Sequence, residues 1–395
     1  MTHLLLAVLT AAFCWTAVVT RPEGRAPNQW DFRTFYHAAK AWNSGLNPYS
    51  QQDLARVAGV SDPLPPFLYP PITLPFFSLF LSMDYSHAFY AWLLFKSLLL
   101  VGLVYIWKTF FLQLEMNWVF YPFLVMAFNH SLFVDFLAGN VSLVEQVLLW
   151  AGLACFLRGR ILYFILCISA ASLFKLTPLA FLLLLLLTEY PNKVRWLISA
   201  VLSNAAAWAL FYLFDPMGYS RFLGQSWMNE RGNTNPSTFN IVRDIGDMVF
   251  QDKLGIFIPY EGEVMVYLAL AATVVWMTRR FYLRYRDTVK DPEKQRKMLI
   301  FLACLVYALV LPRFKNYSFI LLIAPTYYLL RKASHLKLNH ALFIMAIFTC
   351  DTFDYIFFPQ VAPMIFLIIY QYFALITAVS VWVAYMMELK REGFR

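Results

Sequence analysis

The chain is poor in charge: of its 395 residues only 14% are Asp, Glu, Lys or Arg, against 61% apolar. So little polar surface cannot coat a soluble protein of this length, and a membrane-embedded chain is the default reading. Cysteine is scarce and scattered. Cys14, Cys155, Cys167, Cys304 and Cys350 all lie inside apolar stretches, with no Cys-x-x-Cys pair and no His at ligand spacing. Neither a disulfide framework nor a zinc site is expected. An Asp-x-Asp pair, of the kind that holds a divalent ion on a nucleotide diphosphate, is also missing, since Asp351 and Asp354 stand three apart. No metal and no cofactor is expected. Sustained internal repeats, low-complexity tails and a soluble domain are absent too, so residues 1–395 read as one membrane domain.

Long apolar runs and aromatics fill the space. The 38 Phe, 23 Tyr and 12 Trp suit lipid-facing surfaces and interfacial belts. Apolar stretches fall at 4–20, 67–83, 86–107, 118–134, 141–157, 161–174, 178–188, 196–214, 262–279, 298–311, 316–330, 340–358 and 361–387. A helix needs about 20 residues to cross the hydrocarbon core, so the shortest of these are expected as tilted, broken or re-entrant helices buried by neighbours. The 67–83 stretch, with Pro70, Pro71 and Pro75, is the one expected not to cross. Leu4–Thr20 resembles a secretory signal, but no Lys or Arg precedes it, so it is read as a retained first helix.

The net charge of +9 comes from short basic clusters between apolar runs, which fits topology better than a nucleic-acid-binding face. Clusters at Arg158–Arg160, Lys193–Arg195, Arg279–Lys297, Arg331–Lys337 and Lys390–Arg395 are placed in the cytoplasm. The connections at 175–178, 215–261, 312–316 and 351–360 are then external. Both termini inside gives about twelve crossings, although Arg21 and Arg25 vote against that orientation of the N-terminus. The expected class is an all-α, polytopic integral membrane protein with two large external loops, 21–66 and 215–261. Loops of that length in an embedded protein are usually functional.

The first loop carries Gln29-Trp30-Asp31-Phe32-Arg33-Thr34-Phe35-Tyr36-His37-Ala38-Ala39, then Gly45-Leu46-Asn47-Pro48-Tyr49, then Phe67-Leu68-Tyr69-Pro70-Pro71. Residues 31–42 have helical spacing, with Phe32, Phe35, Ala39 and Trp42 on one side, as in a helix lying at the membrane interface. Asp31 at its start fits a helix cap. It equally fits a carboxylate placed to take a proton from an acceptor hydroxyl. Lys96, His130, Asp135, Glu145 and Gln146 lie in or beside apolar segments. A proton path is conceivable for them, but interhelical hydrogen bonds are the more common outcome.

The run Asp-Phe-x-x-Phe-x-x-Ala, followed by Gly-x-Asn-Pro-Tyr and Tyr-Pro-Pro, resembles the GT-C superfamily enzymes that use polyprenyl-phosphate-mannose, of the phosphatidylinositol-mannoside mannosyltransferase type, and their arabinofuranosyl-transferring relatives. Weaker matches are Gly139-Asn140-Val141-Ser142, Lys175-Leu176-Thr177-Pro178, Asn235-Pro236-Ser237 and Pro312-Arg313-Phe314-Lys315-Asn316-Tyr317-Ser318. The resemblance implies a GT-C fold and an inverting transfer of mannose or another hexose from a polyprenyl-phosphate donor to a lipid-linked glycan or glycolipid, at the external face of a bacterial cell membrane. It implies Asp31 as general base; Lys175, Arg313, Lys315 and Tyr317 as donor-phosphate contacts; and Tyr36, His37, Asn47, Tyr69, Asn140 and Asn235 as cavity residues. One departure stands out. Some members carry paired His where this chain has Tyr317-Ser318, and a phenol donates a hydrogen bond without titrating as an imidazole does. Two alternatives remain: a pentofuranosyl transferase of the same fold, and a flippase of a lipid-linked precursor. The flippase would be expected to show related halves, which are not visible here.

Overall fold

An apolar run in lipid has to satisfy its own backbone, and a helix does this within one segment. The computed structural model describes residues 2–20, 29–225, 231–251, 255, 257–332, 339–348 and 364–392. Among these residues every regular element is helical. Among the described residues six helices are long and apolar enough to cross a membrane unaided: Thr2–Val19, Tyr85–Glu115, Phe120–Ala138, Lys193–Phe214, Tyr260–Thr288 and Phe373–Glu392. Four more apolar helices, Pro71–Ser82, Ser142–Leu157, Ile161–Ser172 and Thr177–Leu187, are shorter and need tilt or the cover of neighbours. Lys193–Phe214 keeps only 11% of its apolar window inside the protein, a surface suited to lipid rather than water. The chain is an all-helical, polytopic integral membrane protein. The 351–360 connection, with Asp351 and Asp354, lies outside the described residues, as do Arg21 and Arg25.

The chain forms two compact units, each assembled from two stretches: residues 1–106 with 135–229, and residues 107–134 with 230–395. The first contains α1 (Thr2–Val19), α2 (Trp30–Asn43), α3 (Gln51–Ala58) and α4 (Tyr85–Ile106), then the end of α5 (Phe120–Ala138), α6 (Ser142–Leu157), α7 (Ile161–Ser172), α8 (Lys193–Phe214) and α9 (Pro216–Gln225). α6 packs on α7 and α4, and α4 on α1. A β-carbon at Gly152 would sit 3.1 Å from the Cys167 side chain, so the small residue sets how closely α6 and α7 approach.

Within the described part of the expected first loop, α2 and α3 are helical. α2 forms because its apolar residues recur at helical spacing: Phe32, Phe35 and Ala39 are buried while Lys40 and Trp42 stay exposed. Trp42, expected on the apolar side, faces out at 40% exposure. Phe32 stacks on Trp92 with ring centres 5.1 Å apart, and Phe35 packs edge-on to Tyr69 at 5.0 Å. Each buried ring contributes about 1.5–3 kcal/mol, enough to dock α2 firmly. α3 begins at Ser50, whose hydroxyl accepts from the Asp53 N–H at 3.2 Å. Around Pro70, Pro71 and Pro75 the chain makes only short helical turns, Pro71–Thr73, Leu74–Ser78 and Leu79–Ser82. That is less than the roughly 20 residues a crossing takes.

The second unit contains α10 (Thr238–Ile245), α11 (Tyr260–Thr288), α12 (Pro292–Val310), α13 (Ile323–Lys332), α14 (Asn339–Ile347), α15 (Met364–Gln371) and α16 (Phe373–Glu392). α12 starts where Asp291 accepts from the N–H groups of Glu293 and Lys294, with Pro292 at the first helical position. α11 packs on α12 and α16, and the Trp382 indole donates to Thr278 at 2.8 Å. The described part of the second expected loop also contains helices, α9 and α10, with a short turn at Gly232–Thr234.

Candidate active site

The site is built on the buried turn that ends α5, where the N–H groups of Gly139 and Asn140 donate back to the Asp135 carbonyl at 3.0 and 3.2 Å. Three side chains add further donors. Lys96, fully buried on α4, donates to the carbonyls of Asp135 and Asn140, both at 2.7 Å, and pairs with the Asp135 carboxylate at 2.6 Å. Trp92, one turn earlier, donates to the Gly139 carbonyl at 2.9 Å. Gln29 donates to the Phe136 carbonyl at 2.6 Å. A cation at a helix C-terminus also meets the negative end of the helix dipole. Gly139 has φ of +69°, and a β-carbon there would lie 2.7 Å from that of Gln29. Only glycine fits.

This clamped turn presents Asn140 to Asp31. Gln29 holds the N-cap position of α2 but makes no side-chain cap bond, because its amide is turned to Phe136. Asp31 therefore lies in the first helical turn without being the cap. Its carboxylate accepts from the Asn140 amide at 2.6 Å. The amide cannot be flipped: its oxygen accepts from the Ser142 backbone N–H at 3.0 Å, an obligate donor, and from the Ser142 hydroxyl at 2.9 Å. The same NH2 also reaches the Tyr69 hydroxyl at 3.0 Å. Burial, and then the charge of Asp31, hold the Tyr69 phenol well above its ordinary pKa, so it stays protonated.

The chain of bonds continues. The Lys175 ammonium donates to the Ser142 hydroxyl at 3.1 Å and pairs with Glu145 at 2.6 Å. Because Ser142 accepts from Lys175 and donates to Asn140, every dipole points the same way, from the cation at Lys175 to the carboxylate at Asp31. Aligned bonds of this kind polarise one another. Asn140, Ser142 and Glu145 are buried, whereas Asp31 is half-exposed and the Lys175 side chain is 24% exposed. The network thus opens at its two charged ends.

The remaining residues singled out from the sequence divide. In the first unit Tyr36 donates to the Met83 carbonyl at 2.9 Å, and His37 is buried between the rings of Tyr36 and Tyr85. Burial, then the charges of Arg33 and Lys40, lower the His37 pKa to about 4, which leaves it neutral near pH 7. The Asn47 side chain accepts from the Tyr49 N–H at 3.1 Å, closing a turn. Tyr49 in turn donates to the Tyr69 carbonyl at 2.8 Å. The Asn-Pro-Tyr motif therefore holds Tyr69 in place rather than meeting Asp31. In the second unit, the Asn235 side chain accepts from the Phe314 N–H at 2.8 Å, and the Ser237 hydroxyl donates to the Pro312 carbonyl at 2.7 Å. Those two motifs form one clasp around the segment that bears Arg313, Lys315 and Tyr317. Arg313 and Lys315 are half-buried, Tyr317 is buried, and the Lys315 ammonium lies 5.9 Å from the Tyr317 ring centre.

Sequence reasoning did not connect Gln29, Ser142 or Glu145 to Asp31. The available signal was the cost of placing Glu145 and Lys96 in apolar segments, which requires partners. Among the described residues no group of three His, Cys, Asp or Glu side chains is placed to hold a metal ion.

No curated protein matches the chain. Residues 67–312 match the family model of glycosyltransferase family 87. The match takes in Tyr69, Asn140, Ser142, Glu145, Lys175 and Asn235; Asp31 lies before it, and Arg313, Lys315 and Tyr317 lie just after it. With the match covering well over half of its length on an all-helical membrane fold, this chain belongs to glycosyltransferase family 87 and is a glycosyltransferase.

Proposed function

We propose that the chain is an inverting glycosyltransferase of the GT-C type, with Asp31 as general base. It moves mannose or another hexose from a polyprenyl-phosphate donor to a lipid-linked glycan or glycolipid at the external face of a bacterial cell membrane. The observation that carries this reading is the 2.6 Å bond from a fixed Asn140 amide to a half-exposed Asp31 carboxylate. One carboxylate oxygen is held in place and the group still reaches the surface. In the reaction the acceptor hydroxyl gives its proton to Asp31 as its oxygen attacks the anomeric carbon. The bond from that carbon to the phosphate oxygen breaks, and the polyprenyl phosphate leaves with the electron pair. Developing negative charge on the phosphate calls for fixed cations. Lys175 is the candidate in the first unit, held by Ser142 and Glu145 with part of its side chain still exposed. The donor-phosphate roles that the resemblance implies for Arg313, Lys315 and Tyr317 in the second unit belong to the same proposal.

The test is Asp31→Asn in the purified full chain, supplied with labelled polyprenyl-phosphate mannose and a membrane glycolipid extract. Loss of a general base lowers turnover by about 10²–10⁴-fold, while the melting temperature should stay near that of the parent. Turnover within a few-fold of the parent would remove Asp31 from the mechanism.

A further inference from the structure

With 29 residues α11 rises about 43 Å, well over the roughly 30 Å of a hydrocarbon core. Its apolar part, residues 262–279, accounts for about 27 Å of that rise. The turns from Arg279 to Thr288 therefore stand at and beyond the lipid headgroups, and they carry four Arg against one Asp. One side of this end of the helix is taken up by the protein, since Thr278, Tyr282 and Tyr285 are buried and the Trp382 indole donates to Thr278. The other side is bare. Trp276 is 56% exposed, and Arg279, Arg280 and Arg284 are exposed as well. Trp276, Arg280 and Arg284 follow at i, i+4 and i+8 and so form one stripe. The Arg280 guanidinium carbon lies 5.4 Å from the Trp276 ring centre. Asp287 pairs with Arg286 at 3.8 Å, whereas Arg279, Arg280 and Arg284 have no ion pair among the described residues.

We infer that this stripe is a binding site for an anionic phospholipid, whose phosphate is held by Arg280 and Arg284. The inference does not depend on the proposed function. Charge complementarity names the occupant: guanidiniums without carboxylate partners at headgroup depth match a phosphate, which each can take with two parallel hydrogen bonds. The depths agree too. Arg280 and Arg284 are about 6 Å apart along the helix, and the headgroup layer on each side of a bilayer is about 5–8 Å thick. Trp276, one turn nearer the core, falls where an indole prefers to lie, at the boundary between headgroups and acyl chains. The stripe also runs without a break into a lipid-facing surface, for α11 keeps only 17% of its apolar window inside the protein and leaves Leu268 and Val275 exposed. An acyl chain can follow those residues while its headgroup meets the arginines. A lipid with net negative charge is preferred over a zwitterionic one, because the choline or ethanolamine cation of the latter is repelled by the same guanidiniums.

Native mass spectrometry of the purified full chain, titrated with phosphatidylglycerol or with phosphatidylcholine of the same chain length, tests the inference. The parent should bind phosphatidylglycerol more tightly. In the double variant Arg280→Gln/Arg284→Gln that affinity should fall about 25-fold, at about fivefold for each arginine, with phosphatidylcholine binding little changed. Both side chains are exposed, so the variant should fold, and unchanged melting in detergent verifies this. Equal affinity of the parent for the two lipids overturns the site, as does parental phosphatidylglycerol affinity in the double variant. Arg158→Gln/Arg160→Gln removes the same charge from another exposed cluster and should leave the affinity within about twofold of the parent. A loss there as large as in the Arg280 and Arg284 variant would mean diffuse attraction and overturn the stripe. Inorganic phosphate should not raise the melting temperature of the parent as phosphatidylglycerol does; an equal rise would assign the arginines to a free anion and overturn the lipid.

Discussion

Asn140 and Asn235 are both buried asparagines in short motifs, one in each unit, yet they spend their amides differently. Asn140 turns its NH2 to a carboxylate and a phenol, whereas the Asn235 oxygen is taken by the Phe314 backbone N–H. The first orients a chemical group; the second closes a loop. A motif in the sequence therefore marks a local geometry without saying whether its polar atom serves chemistry or backbone. The partner decides.

The comparison can be broken most forcefully beneath Asn140. Lys96→Met leaves Asp135 buried and unpaired and takes the ammonium away from the Asp135 and Asn140 carbonyls, so stability should fall by about 3–5 kcal/mol. Adding Asp135→Leu should recover part of that loss, as read from melting in detergent; no recovery would show that the ion pair is not the anchor of the turn. Next in size is Asn140→Ala. Losing a hydrogen bond to a charged group should lower kcat about ten- to hundredfold, with the KM for donor little changed; the buried Ser142 N–H also loses its acceptor, so melting falls as well. Asn235→Ala should lower stability without that loss of turnover. Leaving the buried Phe314 N–H unpaired costs about 1–3 kcal/mol of stability, and kcat in the folded fraction should move less than in Asn140→Ala. If both variants lose activity and stability in the same proportion, the two asparagines do the same job.

The smallest effect concerns His37. Its folded pKa of about 4 lies below its ordinary 6.5, so the unfolded chain takes up the proton first. The stabilisation is fully present above pH 6.5 and is lost as pH falls from 6.5 towards 4. Melting should therefore drop over that window, and His37→Phe should flatten the drop. An identical acid profile in the variant would show that His37 does not contribute.

Much of the architecture was legible because lipid imposes one rule, internal satisfaction of the backbone, and apolar length records it. The proline-broken stretch at 67–83 and the helical spacing of 31–42 were readable for the same reason. Trp42 was not, because spacing names a face but not which of its edges is covered. At the site, Asp31 and Lys175 stood out as ionisable groups at motifs. Their connection through Asn140 and Ser142 did not, because it depends on the rotation of α6 against α2 and α4. Likewise Tyr36, His37 and Asn47 share the motif region with Asp31, but their side chains leave the helix or turn in other directions and find internal partners.

The bond between Asp31 and Asn140 spans 109 residues of chain, and this sets an order on biosynthesis. The carboxylate leaves the ribosome several seconds before the amide that orients it, at about 5–20 residues per second. Until α5 and α6 have entered the bilayer, the nascent protein carries the Asp31 carboxylate without the amide that orients it. A polypeptide interrupted before residue 140 never forms that bond.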